Sequence, residues 1–388
     1  MRDVVVIGGG PAGSMTAARL AARGHAVVLL EEHAEPGRPV HCTGLLGADA
    51  FDEFALPRSL ILGEAATARF WSAAGQSVTA AGDRAHATVI DRAALDRELL
   101  DRARAAGVEV RLGWRAERID ITSTGVIVEG REAGDRIDAR ACVLACGAQY
   151  RFHRGLGLGL PEVFLQSAQL ETPFPASGDV EVRFGRQVAP GGFAWLVPLS
   201  RDGAAHARIG VMSESRVSEY FAGFLGQLCA RVGVDPATLP PPRQKILPLA
   251  PVRRTYADRV LAVGDAAGLV KPTTGGGIYY GLISGALAAE VLGPALERDR
   301  LDAAELSGYE RAWTRRLGRE IRVGLLFRRI AGRLNDPAID ALIDLARVNG
   351  VIPLLQKTAA FNWHGRAALA LLADRSFRRI VFGPGARS

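Results

Sequence analysis

Val4-Val5-Val6-Ile7 forms a four-residue apolar run close to the start of the chain, and the pattern changes immediately after it. Short continuous apolar runs of this kind read as strands buried on both faces. Three more follow, over His25–Leu30, Ala141–Ala145 and Arg259–Val263. Ser14 to Arg23 is alanine-rich and Tyr279 to Leu292 is apolar, and both read as helices, each after one of these strands. Thr88-Val89-Ile90-Asp91-Arg92 precedes a predicted helix over Ala93–Ala106 and a strand over Val108–Arg111. Further strands are expected at Arg118–Ile121 and Gly125–Glu129. Residues 166–254 behave differently. Asp179–Phe184, Ala194–Leu199 and His206–Met212 alternate apolar and polar positions, which predicts a mainly antiparallel sheet. Leu239-Pro240-Pro241-Pro242 then marks a boundary. From Asp302 onward the period is helical, with Trp313, Leu317, Ile321 and Leu325 recurring every four residues.

Bulk composition narrows this picture only a little. With 388 residues and 48% hydrophobic content, the chain has ample core for two or three subdomains. The first strand begins at Asp3, leaving no room for a leader ahead of it, and no uninterrupted apolar run reaches the ~18 residues of a membrane span. The expectation is a cytoplasmic protein. Cys42, Cys142, Cys146 and Cys229 show no C-x-x-C pair and no metal-ligand spacing, so neither a metal site nor a disulfide framework is expected. Residues 297–388 hold 17 Lys and Arg against 10 Asp and Glu, the whole of the net charge of +7. Arg315, Arg319, Arg322, Arg329 and Arg333 lie largely off the apolar stripe, a pattern that suits peripheral contact with the inner face of an anionic membrane. The basic residues do not interleave with aromatics, so no nucleic-acid partner is expected; the oligomeric state is not legible.

Two glycine motifs carry the chemistry. The first strand leads into Gly8-Gly9-Gly10-Pro11-Ala12-Gly13, a G-x-G-x-x-G loop that opens a helix. Gly8 and Gly10 permit a tight turn and close approach to a pyrophosphate, Pro11 and Ala12 start the helix, and Gly13 lets helix and strand pack closely. The helix N-terminus offers N–H groups and partial positive charge to phosphates. Glu31, followed by Glu32, ends the second strand 18 positions beyond Gly13, where an acid takes ribose hydroxyls. Some 250 residues later, Gly264-Asp265 follows another strand, and Gly275-Gly276-Gly277-Ile278 opens another helix. Asp265 suits a ribityl chain, and the second helix N-terminus suits negative charge on a reduced isoalloxazine ring. Together the two motifs indicate FAD.

Pro190-Gly191-Gly192-Phe193-Ala194-Trp195-Leu196-Val197-Pro198 resembles the P-x-x-Y-x-W-x-F-P signature of the geranylgeranyl reductase family, with Phe193 for tyrosine and Val197 for phenylalanine. His41-Cys42-Thr43-Gly44 resembles that family's cysteine-glycine loop, and Gly264 to Gly277 its flavin loop. The resemblance spans roughly residues 1–300. It implies an α/β fold: a discontinuous Rossmann-type FAD-binding domain (1–50, 85–165 and 255–296), an inserted mainly antiparallel substrate domain (51–84 and 166–254) and a C-terminal helical region (297–388). It also implies that Arg92, Gly147 and the Cys42-Thr43-Gly44 loop lie at the flavin, and that the substrate is an isoprenoid lipid or prenylated quinone.

The expected reaction is reduction of an isoprenoid double bond. An isolated alkene accepts hydride poorly, and a proton delivered ahead of or with the hydride makes a better acceptor. Cys42 is the candidate donor, since a thiol is mostly protonated at neutral pH. Phe193 and Trp195 are candidates to line an apolar channel and stabilise developing positive charge. The electron donor is NADPH bound transiently or a ferredoxin-like protein, because no second G-x-G-x-x-G is present. The alternatives are a flavin monooxygenase and, further off, an electron-transfer flavoprotein. Halogenases of this type use a lysine in the N-terminal half, whereas the first lysine here is Lys245.

Overall fold

The computed structural model describes residues 1–81, 87–132, 134–176, 178–348 and 361–383. They form two compact units, each assembled from separate stretches of chain: Met1–Val40, Arg92–Val163 and Pro248–Ile321 in the first, His41–Asp91, Phe164–Leu247 and Arg322–Ser388 in the second.

The first unit is built on an eight-stranded sheet. Its parallel core runs, side by side, through Val260–Ala262, Arg136–Leu144, Arg2–Ile7, Val27–Glu31 and Glu109–Leu112. Tyr256–Ala257 adds an antiparallel edge, and Ala116–Ile121 and Val126–Gly130 extend the Arg136–Leu144 strand as an antiparallel meander. Val4, Val5, Val6, Val28 and Leu29 are fully buried, as expected of central parallel strands covered on both faces. Because the core strands are parallel, their carboxyl ends share one edge. Helix Pro11–Ala21 begins at that edge after the first strand, and helix Ile278–Glu297 begins there after the Val260–Ala262 strand. The two helices meet at very short range. Thr16 Oγ1 donates to the carbonyl of Gly285 at 3.1 Å, and a Cβ on Gly285 would lie 2.4 Å from the Ala12 oxygen. Helix Ile278–Glu297 has the length and hydropathy of a membrane span, but 78% of its most apolar window is buried, as in a core helix.

In the second unit a seven-stranded sheet runs Arg243–Pro248, Phe164–Pro173, Ala204–Ser213, Phe193–Arg201, Val180–Arg183, Thr67–Trp71 and Ser77–Ala81. From Phe164–Pro173 to Ser77–Ala81 its pairings are antiparallel except for the parallel pairing of Val180–Arg183 with Thr67–Trp71. Helix Val217–Val232 covers one face, where Phe221, Phe224 and Leu228 pack on Leu170, Leu196, Ile209 and Val211. That leaves the other side-chain parity (Gln169, Trp195, Arg208, Gly210) for the opposite face. A small sheet pairs Leu45–Gly47 and Ile61–Ala65 with Ala87–Ile90. The C-terminal part is helical: Asp336–Val348, Gly365–Ala373 and Arg375–Phe382, with Leu334, Phe377 and Val381 in one apolar cluster. On helix Ala303–Ala331, Trp313, Leu317 and Ile321 are buried, Leu325 is half-buried, and Arg315, Arg319, Arg322 and Arg329 are exposed.

The mixed α/β architecture, with its Rossmann-type sheet, second mainly antiparallel sheet and helical C-terminus, is the one the sequence predicts. Helix Val217–Val232 is absent from that expectation, although Phe221, Phe224, Leu225 and Leu228 have helical spacing. The chain also stays in the second unit past the prolines, adding the strand Arg243–Pro248 before crossing between Leu247 and Pro248.

Candidate functional site

In the first unit the candidate nucleotide residues gather at the carboxyl edge of the parallel strands. Helix Pro11–Ala21 has Gly10 as its N-cap with no side-chain cap, and helix Ile278–Glu297 has Gly277, likewise uncapped by any side chain. Neither helix start is capped by its own N-cap side chain, and the partial positive charge of both N-termini suits a ligand with negative charge. Gly13 could not be another residue: a Cβ there would lie 2.0 Å from the Gly8 oxygen and 2.9 Å from Ala145 Cβ, against the neighbouring strand. Glu31 turns back onto the loop, its Oε2 accepting from the Gly9 N–H at 2.7 Å and its Oε1 from the His33 N–H at 3.0 Å. Glu32 accepts from Gln149 Nε2 at 2.6 Å. Arg92 opens helix Arg92–Ala105, gripped at both Nε and Nη2 by Asp96 at 3.0 Å. Its Nη2 comes within 3.9 Å of where a Gly10 Cβ would be, so its cation stands beside the phosphate-type loop.

Asp265 lies against the start of the second helix: a Cβ on Gly277 would be 2.5 Å from Asp265 Oδ1. The loop closes on itself through Lys271, whose N–H reaches the Gly276 oxygen at 3.1 Å and whose own oxygen takes the Gly275 N–H at 2.8 Å. Space beside Gly147 is open, with nothing within 4 Å of a Cβ built there. Two residues with no signature in the sequence brace the Asp265 loop. Tyr150 Oη donates to the Asp265 oxygen at 2.7 Å, and His153 Nε2 lies 2.7 Å from the Ala266 oxygen. Burial, reinforced by the Asp265 charge, pushes the Tyr150 phenol well above its usual range, so it remains a donor. Burial lowers the His153 pKa and keeps that ring neutral. Two helix N-termini, one acid at the end of the second strand and a second acid against the other helix suit a dinucleotide with hydroxyls and a pyrophosphate.

Cys42, Thr43, Gly44, Phe193 and Trp195 belong to the second unit, and its sheet draws them together. Register places Gln169, Gly210, Trp195, Val182 and Phe70 in one row across five strands. Thr43 Oγ1 donates to Gln169 Oε1 at 2.7 Å, which seats the cysteine loop at one end of that row. Beside Gln169, the Trp195 ring lies over Gly210: a Cβ there would be 2.2 Å from the indole. Phe193 meets Trp195 edge-on at 5.8 Å, Phe184 meets Phe193 at 6.0 Å, and Phe70 stacks on Phe184 at 6.3 Å. The result is a run of aromatic rings leading away from the cysteine loop, three of them half-buried. Phe70 and Phe184 escape sequence reasoning because their contact depends on strand order. Cys42 is half-buried, and its Sγ accepts the Gly44 N–H at 3.3 Å. Among the described residues no His, Cys, Asp and Glu cluster could hold a metal.

Residues 3–334 match the family model described as lycopene cyclase protein. The digeranylgeranylglycerophospholipid reductase of Methanocaldococcus jannaschii is 31% identical over 360 residues, which span 88% of this chain and 90% of that one. Among solved structures, a geranylgeranyl bacteriochlorophyll reductase-like protein from Thermoplasma acidophilum superposes with a TM-score of 0.83 at 22% identity over 98% of both chains. The halogenase PltM in complex with phloroglucinol and FAD gives a TM-score of 0.66 at 17% identity, over 96% of this chain and 86% of that one. That is likeness of fold. With two thirds of the sequence and more aligned to reductases of this kind, the chain belongs to the geranylgeranyl reductase family.

Proposed function

We propose that the protein is an FAD-dependent oxidoreductase that reduces carbon–carbon double bonds of an isoprenoid lipid of the geranylgeranyl type. The observation that carries the reading is the pairing, within the second unit, of the Cys42 loop with the run Trp195–Phe193–Phe184–Phe70. A face lined by rings, with one thiol loop at its end, suits a hydrocarbon chain and not a hydrophilic substrate. Relatives that align along nearly the whole chain carry the name of a reductase of a geranylgeranyl lipid. The first unit is the FAD-binding part in this reading, and the second is the substrate part.

FAD, once bound and reduced, would supply the hydride. The Gly8–Gly13 loop, with Arg92 beside it, would hold its pyrophosphate, Glu31 its ribose hydroxyls and Asp265 its ribityl chain, and the Gly275–Ile278 helix start would stabilise negative charge on its ring. Glu32 supports this end through Gln149, and Gly147 leaves room beside it. Trp195 and Phe193 hold the alkene in an apolar, water-poor environment, their ring faces stabilising positive charge by about 1–2 kcal/mol. Cys42 donates the proton to the alkene carbon that becomes C–H, and solvent reprotonates the thiolate. NADPH or a ferredoxin-like protein provides the electrons. The exposed arginines of helix Ala303–Ala331 bring the enzyme to the membrane surface where such lipids reside.

The lycopene cyclase match favours a second reading, ring closure of an isoprenoid alkene, which leaves its mass unchanged. Both readings are tested by following flavin absorbance while the reduced enzyme meets geranylgeranyl lipids without oxygen. Reduction reoxidises the flavin in proportion to alkene consumed. Product formed without flavin reoxidation would overturn it in favour of cyclisation.

A further inference from the structure

The Cys42 loop is held by a charge that the reaction scheme has not used. Arg208 lies on the strand Ala204–Ser213, on the same face as Gly210 and therefore of the Trp195 indole. It is fully buried. Its Nη1 donates to the Thr43 oxygen at 2.7 Å and to the Ile90 oxygen at 3.0 Å, and its Nε to Glu171 Oε2 at 2.7 Å. Glu171 stands directly opposite Arg208 in the sheet register. Its other oxygen accepts from Arg201, which also reaches Asp91 Oδ2 at 2.9 Å. The chain enters the second unit between Val40 and His41 and leaves it between Asp91 and Arg92. The arginine–glutamate–arginine network thus grips the chain just inside both crossings, at Thr43 and at Ile90–Asp91.

The grip reaches the thiol through one residue. Gly44 has φ +69°, and a Cβ there would lie 2.3 Å from Arg208 Nη1 and 2.8 Å from the Ile90 oxygen. Only glycine lets the guanidinium come so close, and the N–H of this same Gly44 points at Cys42 Sγ. Burying a cation there is costly unless its partners are fixed, and once they are fixed the loop has little freedom.

We propose that Arg208, itself fixed by Glu171, is a positioning residue that holds the Cys42–Gly44 loop in the conformation from which the thiol acts. The inference rests on the assignment of Cys42 as proton donor. Its test separates the two. In full-length FAD-bound protein, Arg208→Lys and Arg208→Met are compared with wild type by two readouts: the rate of iodoacetamide alkylation at Cys42, followed on its peptide by mass spectrometry, and kcat against KM. Release of the loop is expected to speed alkylation at least about threefold. It should also lower kcat by about tenfold or more, with KM little changed, because a misplaced donor costs rate and not binding. Lysine, which keeps charge but not the fork, should fall between methionine and wild type. Wild-type alkylation at Cys42 in folded Arg208→Lys protein overturns the proposal, whatever happens to turnover. If alkylation responds but Cys42→Ala leaves kcat unchanged, Arg208 still positions the loop, and the proton-donor role of Cys42 falls.

Discussion

Tyr150 donates its phenolic hydrogen to the main-chain oxygen of Asp265 at 2.7 Å, tying the segment after the Arg136–Leu144 strand to the loop after the Val260–Ala262 strand. The bond fixes the backbone that presents the Asp265 carboxylate, and His153 repeats the device one residue along at Ala266.

Removing that hydroxyl costs the Asp265 oxygen one of its two donors, the Gly268 N–H at 2.9 Å remaining, for a loss of about 1–1.5 kcal/mol. Tyr150→Phe is therefore expected to weaken FAD binding by roughly tenfold while leaving the fold intact. Fluorescence titration of the apoprotein with FAD checks this. An unchanged affinity would separate Tyr150 from the cofactor loop.

Gly44→Ala should be among the most damaging single changes in the second unit. It puts a Cβ into a left-handed backbone and against the Arg208 guanidinium. A loss of about 2 kcal/mol or more of stability is expected in thermal or urea unfolding. Gly24→Ala is the control: it too has positive φ, but nothing lies within 4 Å of its Cβ, so its cost should be only the backbone strain, about 1 kcal/mol.

Glu171 gives the network a pH signature. Burial raises its carboxyl, but the hydrogen bond from Arg201, with the charge and hydrogen bond of Arg208, outweighs burial and holds it below the ordinary 4.5. A carboxyl depressed in the folded state contributes stability that is complete above its unfolded value and is lost as pH falls through the folded one. The stability gap between wild type and Glu171→Gln should thus be widest above about pH 5 and shrink on acidification below about pH 4. Urea unfolding across that range measures it, and a gap independent of pH would remove Glu171 as an ionised partner.

The four cysteines should differ sharply in reactivity. Burial pushes the Cys142 thiol far above its usual range and Cys146 to about 11. At about pH 8 iodoacetamide should label Cys42 well before either, as peptide mapping would show. Faster labelling at Cys146 would contradict the upward shift of its thiol.

The nucleotide half of this molecule was legible in the sequence because its parts are local. A strand, a glycine turn and a helix start lie within a dozen residues around Gly8–Gly13, and within about twenty around Gly264–Ile278. What escaped depends on contacts across long stretches of chain. Arg208 reads as a stray charge on an apolar strand until the register sets Glu171 opposite it. Phe70 joins the ring run only because Thr67–Trp71 pairs in parallel with Val180–Arg183, more than a hundred residues later. Helix Val217–Val232 was hidden by the strand alternation on either side of it, although its apolar spacing was present.

The most direct measurement asks whether an isoprenoid alkene gains hydrogen on this protein. Dithionite-reduced enzyme is incubated without oxygen with a geranylgeranyl glycerolipid, and the lipid is read by mass spectrometry. The expected result is a gain of two hydrogens for each double bond consumed, absent without FAD. A product of unchanged mass, or one that has gained oxygen once air is admitted, would contradict it.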